Sequence, residues 1–234
     1  MKKLLAVIGL TTVLAFGLTA CGGGGSSSGG DTGGDSKKEA SSEPVELSLV
    51  ESGYSTGSSG YIYYAVCIEN TNESKAAEFP VVTVVGKDAN GSIVFSDDWT
   101  LSGVLPGEKA YYASQAGNGA VPETVEFSVT TDSKNWKNAD AYPEGIYSID
   151  STNYVEGSYG MSSFTGQITL TQDNEDFAKP MIVVVLRDGD GAIVGGYNTY
   201  LSSDLTEGSP AAFEVTAYDM PEFAAFEVCA NPWL

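Results

Sequence analysis

The sequence contains no histidine, a single arginine at Arg187 and only three cysteines. Without histidine, the commonest general base and the commonest transition-metal ligand are missing, along with Ser-His-Asp and Cys-His pairings. Positive charge is scarce: 11 Lys+Arg stand against 31 Asp+Glu, a net charge of −20. Such acidity keeps a chain soluble and argues against nucleic acid or anionic headgroups as partners. There is no CxxC pair for zinc, and no amphipathic helical window beyond the first 20 residues for a phosphate loop to open. The Gly22–Gly34 run is therefore read as linker.

The N-terminus is the most specific segment. Lys2 and Lys3 precede an almost wholly apolar run from Leu4 to Leu18, and Thr19-Ala20 lead to Cys21. This is a secretory signal layout, too short and too abruptly ended for a spanning helix. Leu18-Thr19-Ala20-Cys21 resembles the lipobox of bacterial lipoproteins. The resemblance implies cleavage before Cys21, lipid attachment at Cys21 and residence on the extracytoplasmic face of a bacterial cell membrane. Two or three acyl chains give durable anchoring where one alone is marginal. Loss of residues 1–20 leaves nine Lys+Arg against 31 Asp+Glu, a balance of −22.

From residue 21 to residue 44 the chain is mostly Gly, Ser, Asp, Lys and Glu, with only Ala40 to bury. Such a segment cannot offset the entropy of ordering, which predicts a disordered tether spanning on the order of 25 Å.

The remainder repeats at an offset of 100 residues. Lys87-Asp88-Ala89-Asn90-Gly91-Ser92-Ile93-Val94 aligns with Arg187-Asp188-Gly189-Asp190-Gly191-Ala192-Ile193-Val194. Tyr54 faces Tyr154, Pro80 faces Pro180, and Leu101 and Leu105 face Leu201 and Leu205. Two repeats are too few for a solenoid, whereas about 90–100 residues suffice for an independent core. Domains are expected at 45–131 and 143–234, joined by a linker at 132–142.

Within each copy the hydrophobic period is two. Ile62, Tyr64, Val66 and Ile68 alternate with Tyr63, Ala65, Cys67 and Glu69; Ile93, Phe95, Trp99 and Leu101 share one face, as do Val125, Phe127 and Val129. The second copy answers with Ile168/Leu170, Ile193/Tyr197/Leu201 and Phe226/Val228. Alternation rich in β-branched and aromatic residues predicts half-buried strands, and the apolar runs Val81–Val85 and Met181–Leu186 predict central ones. Asn90-Gly91 and Asp190-Gly191 suit tight turns needing positive φ. The expected fold is all-β: two tandem immunoglobulin-like β-sandwiches.

The run Ile68-Glu69-Asn70-Thr71-Asn72, the hairpin Asp88-x-Asn90-Gly91-x-Ile93-Val94 and the turn Leu105-Pro106-Gly107-Glu108 together resemble the FxLYD-type domains of bacterial lipoproteins. The match covers most of the first copy and about half of the second. The second copy replaces the last turn with Leu205-Thr206-Glu207-Gly208, and its strand ends in Gln172-Asp173-Asn174. The resemblance implies small β-sandwich modules and brings no catalytic residues.

Candidate sites are few. Asp88-x-Asn90-Gly91 and Asp188-x-Asp190-Gly191 invite a calcium reading, but an EF-hand loop needs a further oxygen ligand and an acid at its twelfth position, between helices. The hairpin-turn reading is preferred. Asp97-Asp98 and the cluster Asp173/Glu175/Asp176 read as solvated loop acids. No catalytic residue, metal ligand or cofactor is assigned. Tyr61/Tyr63/Tyr64, Tyr111/Tyr112 and Trp136 include strand neighbours that point to opposite faces, so some are expected to face solvent; Trp99 is assigned to the core. Cys67 and Cys229 are expected to point away from their own cores as free thiols, on domains that move independently across the polar linker. The function these features imply is a non-catalytic binding or spacer module at the bacterial cell surface. Its partners would be the membrane, through the lipid at Cys21, and an extracellular protein or glycan. An acid-pair cell-wall hydrolase and an accessory lipoprotein of envelope assembly or stress response are the alternatives.

Overall fold

A computed structural model describes residues 43–233. The signal segment, Cys21 and nearly all of the tether lie outside the described residues. The folded part is all-β, built from five three-stranded antiparallel sheets, with short 3-10 turns at Ser133–Asn135 and Glu175–Phe177.

The first repeat supplies β1 (Ser48–Thr56), β2 (Ile62–Glu69), β4 (Val81–Lys87), β5 (Ile93–Thr100), β7 (Lys109–Ala116) and β8 (Thr124–Thr130). They form one sheet in the order β1-β2-β7 and another in the order β5-β4-β8. The second repeat answers strand for strand with β10 (Tyr147–Val155), β11 (Met161–Leu170), β12 (Pro180–Arg187), β13 (Ile193–Tyr200), β14 (Ala211–Tyr218) and β15 (Ala225–Pro232). Its sheets run β10-β11-β14 and β13-β12-β15. A small sheet, β6-β3-β9, joins β3 (Lys75–Glu78) and β6 (Gly103–Val104) to β9 (Trp136–Asn138). Part of the 132–142 connection is thus a strand paired with the first repeat.

The hairpins show why their sequences turn. Asp88 Oδ1 accepts from the backbone N–H of Asn90 and Ser92 at 2.8 and 2.9 Å, and Asp188 Oδ1 accepts from Asp190 and Ala192, both at 2.9 Å. Only the glycines take positive φ, 79° at Gly91 and 86° at Gly191. Asp at the first turn position and Gly at the fourth is the type I preference. Each hairpin also carries a bulge at the same place, between Gly86 and Lys87 and between Leu186 and Arg187. The bulge reverses the face of the next residue. Ile93, expected beside Phe95 in the core, is therefore 64% exposed, and its counterpart Ile193 turns away from Tyr197.

Two hydrophobic clusters fill the molecule, and their membership decides how the repeats sit. The first holds Tyr64, Val66, Ile68, Val82, Val84, Phe95 and Tyr112, with Trp99 packed against it, but also Met181, Val183, Val185 and Ile193 from the second repeat. The second cluster holds Ile168, Leu170, Ile182, Val184, Leu186, Tyr197 and Phe213. Strand β12 thus sends Ile182, Val184 and Leu186 into its own core and Met181, Val183 and Val185 against the first repeat. Strand β2 is covered on both faces, so Ala65 and Cys67 are as fully buried as Val66. Independent mobility gives way to a packed seam, and the described residues form one compact unit.

Close backbone approach makes this possible. A Cβ added at Gly53 would lie 1.9 Å from the Ile193 carbonyl oxygen, and one at Gly196 would lie 2.8 Å from the Cβ atoms of both Ala65 and Ala113. Polar ties flank the contact. Arg187 donates to Glu51 at 2.8 Å, to Glu227 at 2.6 Å and to the Tyr111 hydroxyl at 3.1 Å. That bond from Arg187 holds the Glu51 carboxyl below the usual carboxylate range. Asn198 and Asn231 donate to the backbone carbonyls of Ala113 and Tyr111. Both Cys67 and Cys229 are free thiols, raised by burial to about 11 and about 12.

Candidate functional site

The residues behind the family resemblance hold one another. Asn70, 1% exposed, donates from Nδ2 to the carbonyls of Lys75 and Val104. Its backbone N–H donates to the Glu108 carbonyl, and the Gly107 N–H donates back to the Asn70 carbonyl, both at 2.9 Å. Glu108 itself is buried, and Oε2 accepts from the Leu105 N–H at 2.7 Å. Burial, partly offset by this bond, pushes the carboxyl up to about 7. At 2% exposure it is closed off from any substrate.

The acids singled out in the sequence are dispersed. Asp88 and Asp188 brace hairpins, Asp97 accepts from the Gly117 N–H, and Asp98 accepts from the Thr83 hydroxyl. Backbone donors hold the Asp88 carboxyl below the usual range. Asp173, Glu175 and Asp176 do share a groove of about 590 Å³ with Asn174, Lys179, Asp204 and Trp233. Lys179 already pairs with Asp204 across it at 3.4 Å. Among the described residues no group of three or more Cys, Asp or Glu is arranged to hold a metal ion.

The aromatic expectation needs correction. Strand alternation turns Tyr63 and Tyr111 to the face opposite buried Tyr64 and Tyr112, but they do not stand free in solvent. Instead Tyr63 packs on Tyr197 with ring centroids 5.2 Å apart, and Tyr111 lies under Arg187. The seam covers the face that alternation alone leaves open. Tyr61 and Trp136 are half-buried.

Tyr200 and Trp233, each about half exposed, pack on each other with ring centroids 5.2 Å apart, and a second exposed aromatic patch lies at the tip of the β10–β11 hairpin. Tyr159 is wholly exposed; Val155, Met161 and Tyr218 are each about half exposed. Met161 and Tyr218 face each other across paired strands. Tyr159 adopts φ of 59°, the left-handed region that a tyrosine rarely enters. Beneath the tip, Tyr154 packs against Phe164 and Phe223 with centroids 5.3 and 5.4 Å apart, giving it a firm base. Asp219 closes the tip, its N–H donating to the Gly160 carbonyl and its Oδ2 accepting from the N–H and hydroxyl of Ser58. The tip is therefore joined to the β1–β2 loop of the first repeat. The chain enters at the other end of that same sheet: Ser48 pairs with Glu69 there, and Val45 is held by Asn72. The signal available in the sequence was an aromatic between two glycines, Gly157-Ser158-Tyr159-Gly160, where no strand neighbour can cover it.

Compared with protein-family models and with curated proteins, the chain matches none.

Proposed function

We propose that this chain is a bacterial lipoprotein, anchored through lipid on Cys21 and displaying two immunoglobulin-like sandwiches at the extracytoplasmic face of the membrane as a non-catalytic binding module. Its ligand class is an extracellular protein or glycan. One observation carries the reading: the exposed patch around Tyr159 sits at the end of the molecule opposite the point where the tether enters. An anchored module that presents an exposed aromatic patch at the end away from its tether is suited to meeting a partner there. The sheet orders repeated in both copies and the two facing-sheet cores support the sandwich description. No helix among the described residues is long and apolar enough to cross a membrane.

The anchor is tested by Cys21→Ala. Intact-mass analysis should show the parent carrying a diacylglyceryl adduct and the variant none, with most of the variant released to the medium. A variant that stays with the membrane like the parent would remove the anchor. Turnover of cell-wall glycan by the chain, abolished by one substitution among Asp173, Glu175, Asp176 and Asp204, would replace the binding reading with a hydrolase.

A further inference from the structure

We infer that the hairpin tip formed by Val155, Tyr159, Met161 and Tyr218 is a docking knob for a protein partner presenting an apolar face rimmed by lysine or arginine. The inference rests on the binding-module reading above and names the partner's chemistry.

Shape comes first. Small ligands and sugars are taken in concavities that bury most of their surface. A hairpin tip whose central tyrosine is 103% exposed is the reverse, a projection that must itself be received. Tyrosine is also the residue most suited to such a role, with large contact area and few torsions to freeze. The composition around it, Gly-Ser-Tyr-Gly followed by Met-Ser-Ser, with Gly-Ser-Ser-Gly-Tyr in the neighbouring β1–β2 loop, is that of a recognition loop. Tyr159 and Gly160, with φ of 59° and 74°, are the central pair of a hairpin turn closed by the Met161 N–H on the Ser158 carbonyl, and this turn throws the tyrosine outward, free of the protein.

Charge selects the partner. Between residues 138 and 234 there are 15 Asp and Glu and two cations, Lys179 and Arg187. Lys179 pairs with Asp204, and Arg187 pairs with Glu51 and Glu227, so carboxylates already engage both. Glu156, Asp219 and Glu222 lie in the tip and the β14–β15 loop beside it, with no lysine or arginine in either. A second copy of this chain would meet the same sign of charge, as would an anionic lipid surface, and both would be repelled. A basic rim around an apolar centre is complementary on both counts.

The test uses the chain from Gly22 onward, which contains the whole compact unit, labelled with 15N. Two 14-residue amphipathic helical peptides serve as probes, each with a leucine stripe, one flanked by lysines and the other by glutamates. The lysine peptide should shift the amides of residues 155–161 and 218–219, and the glutamate peptide should not. The double variant Tyr159→Ser/Tyr218→Ser should bind the lysine peptide at least about tenfold more weakly while melting within about a degree of the parent, since both side chains are exposed. Equal affinity in the double variant, or shifts scattered over the acidic loops, would overturn the tip and leave the binding-module reading standing. Shifts of the same amides by soluble cell-wall glycan, without a response to the lysine peptide, would overturn the protein partner. The underlying reading fails separately, on the fate of Cys21→Ala or the appearance of glycan turnover.

Discussion

Replacing Gly53 with valine is expected to open the seam between the two repeats. A Cβ at this position would lie 1.9 Å from the backbone oxygen of Ile193, an atom that cannot swing aside as a side-chain tip can. The sheets must part, at an overpacking cost of roughly 2–3 kcal/mol. For a folded unit of this size that corresponds to a fall in melting temperature of about 5–10 °C. Cys67 offers an independent readout, because it is fully buried in the seam and its thiol is held protonated by burial. In the parent from Gly22 onward, Cys67 should resist a thiol reagent in the folded state, and both thiols should react once the chain is unfolded. In Gly53→Val, Cys67 should become reactive under native conditions. Ser52→Val, an exposed neighbour on the same strand, serves as the control. If the two variants melt alike and Cys67 stays protected in both, the seam does not depend on this approach.

Glu108→Gln is expected to stabilise the protein, and only above the acid range. The Glu108 carboxyl is raised to about 7 in the folded state, chiefly by burial, against an ordinary value of 4.5. A raised acid favours the fold while it is protonated. Its contribution is complete below about pH 4.5 and is lost as pH rises through about 7. The rise from 4.5 to about 7 corresponds to at most about 3 kcal/mol withheld from the fold at pH 8. Glutamine keeps an oxygen to accept from the Leu105 N–H and carries no charge. The variant should therefore melt several degrees higher than the parent at pH 8 and close to it at pH 4. A difference independent of pH would place the effect in packing rather than in the buried charge.

Much of the fold was legible because its determinants are local. Alternation over Ile62–Ile68 marked a strand, and Trp99, assigned to the core, packs against it half-buried. Asp88 and Gly91 made the turn that their side-chain chemistry favours. The bulges have no shared local signal, since the first follows Gly86 and the second follows Leu186, and their effect on Ile93 and Ile193 was not read. The offset of 100 residues carried over strand for strand into the two pairs of sheets. Cys21 and the tether fall outside the described residues, and there the sequence alone speaks.

The seam was written in the sequence only as a contrast between the copies. At corresponding outward positions the first repeat has Tyr63, Ala65 and Cys67, and the second has Ser163, Thr165 and Gln167. On the other sheet Thr83 and Asp98 of the first repeat stand against Val183 and Asn198 of the second. Tyr63, Ala65 and Cys67 of the first repeat and Val183 and Asn198 of the second lie in the seam, where Asn198 donates to the Ala113 carbonyl, and their counterparts lie on the outer faces. Periodicity assigns one face of a strand to a core because that pattern repeats along the strand itself. Whether the other face is also covered depends on a surface more than 100 residues away. The sequence by itself therefore determined strands, turns and the duplication. Only the tertiary structure decided that Tyr63 and Tyr111 are half-buried in the seam and Tyr159 is exposed, because burial of an outer face is a property of two complementary surfaces and not of either strand alone.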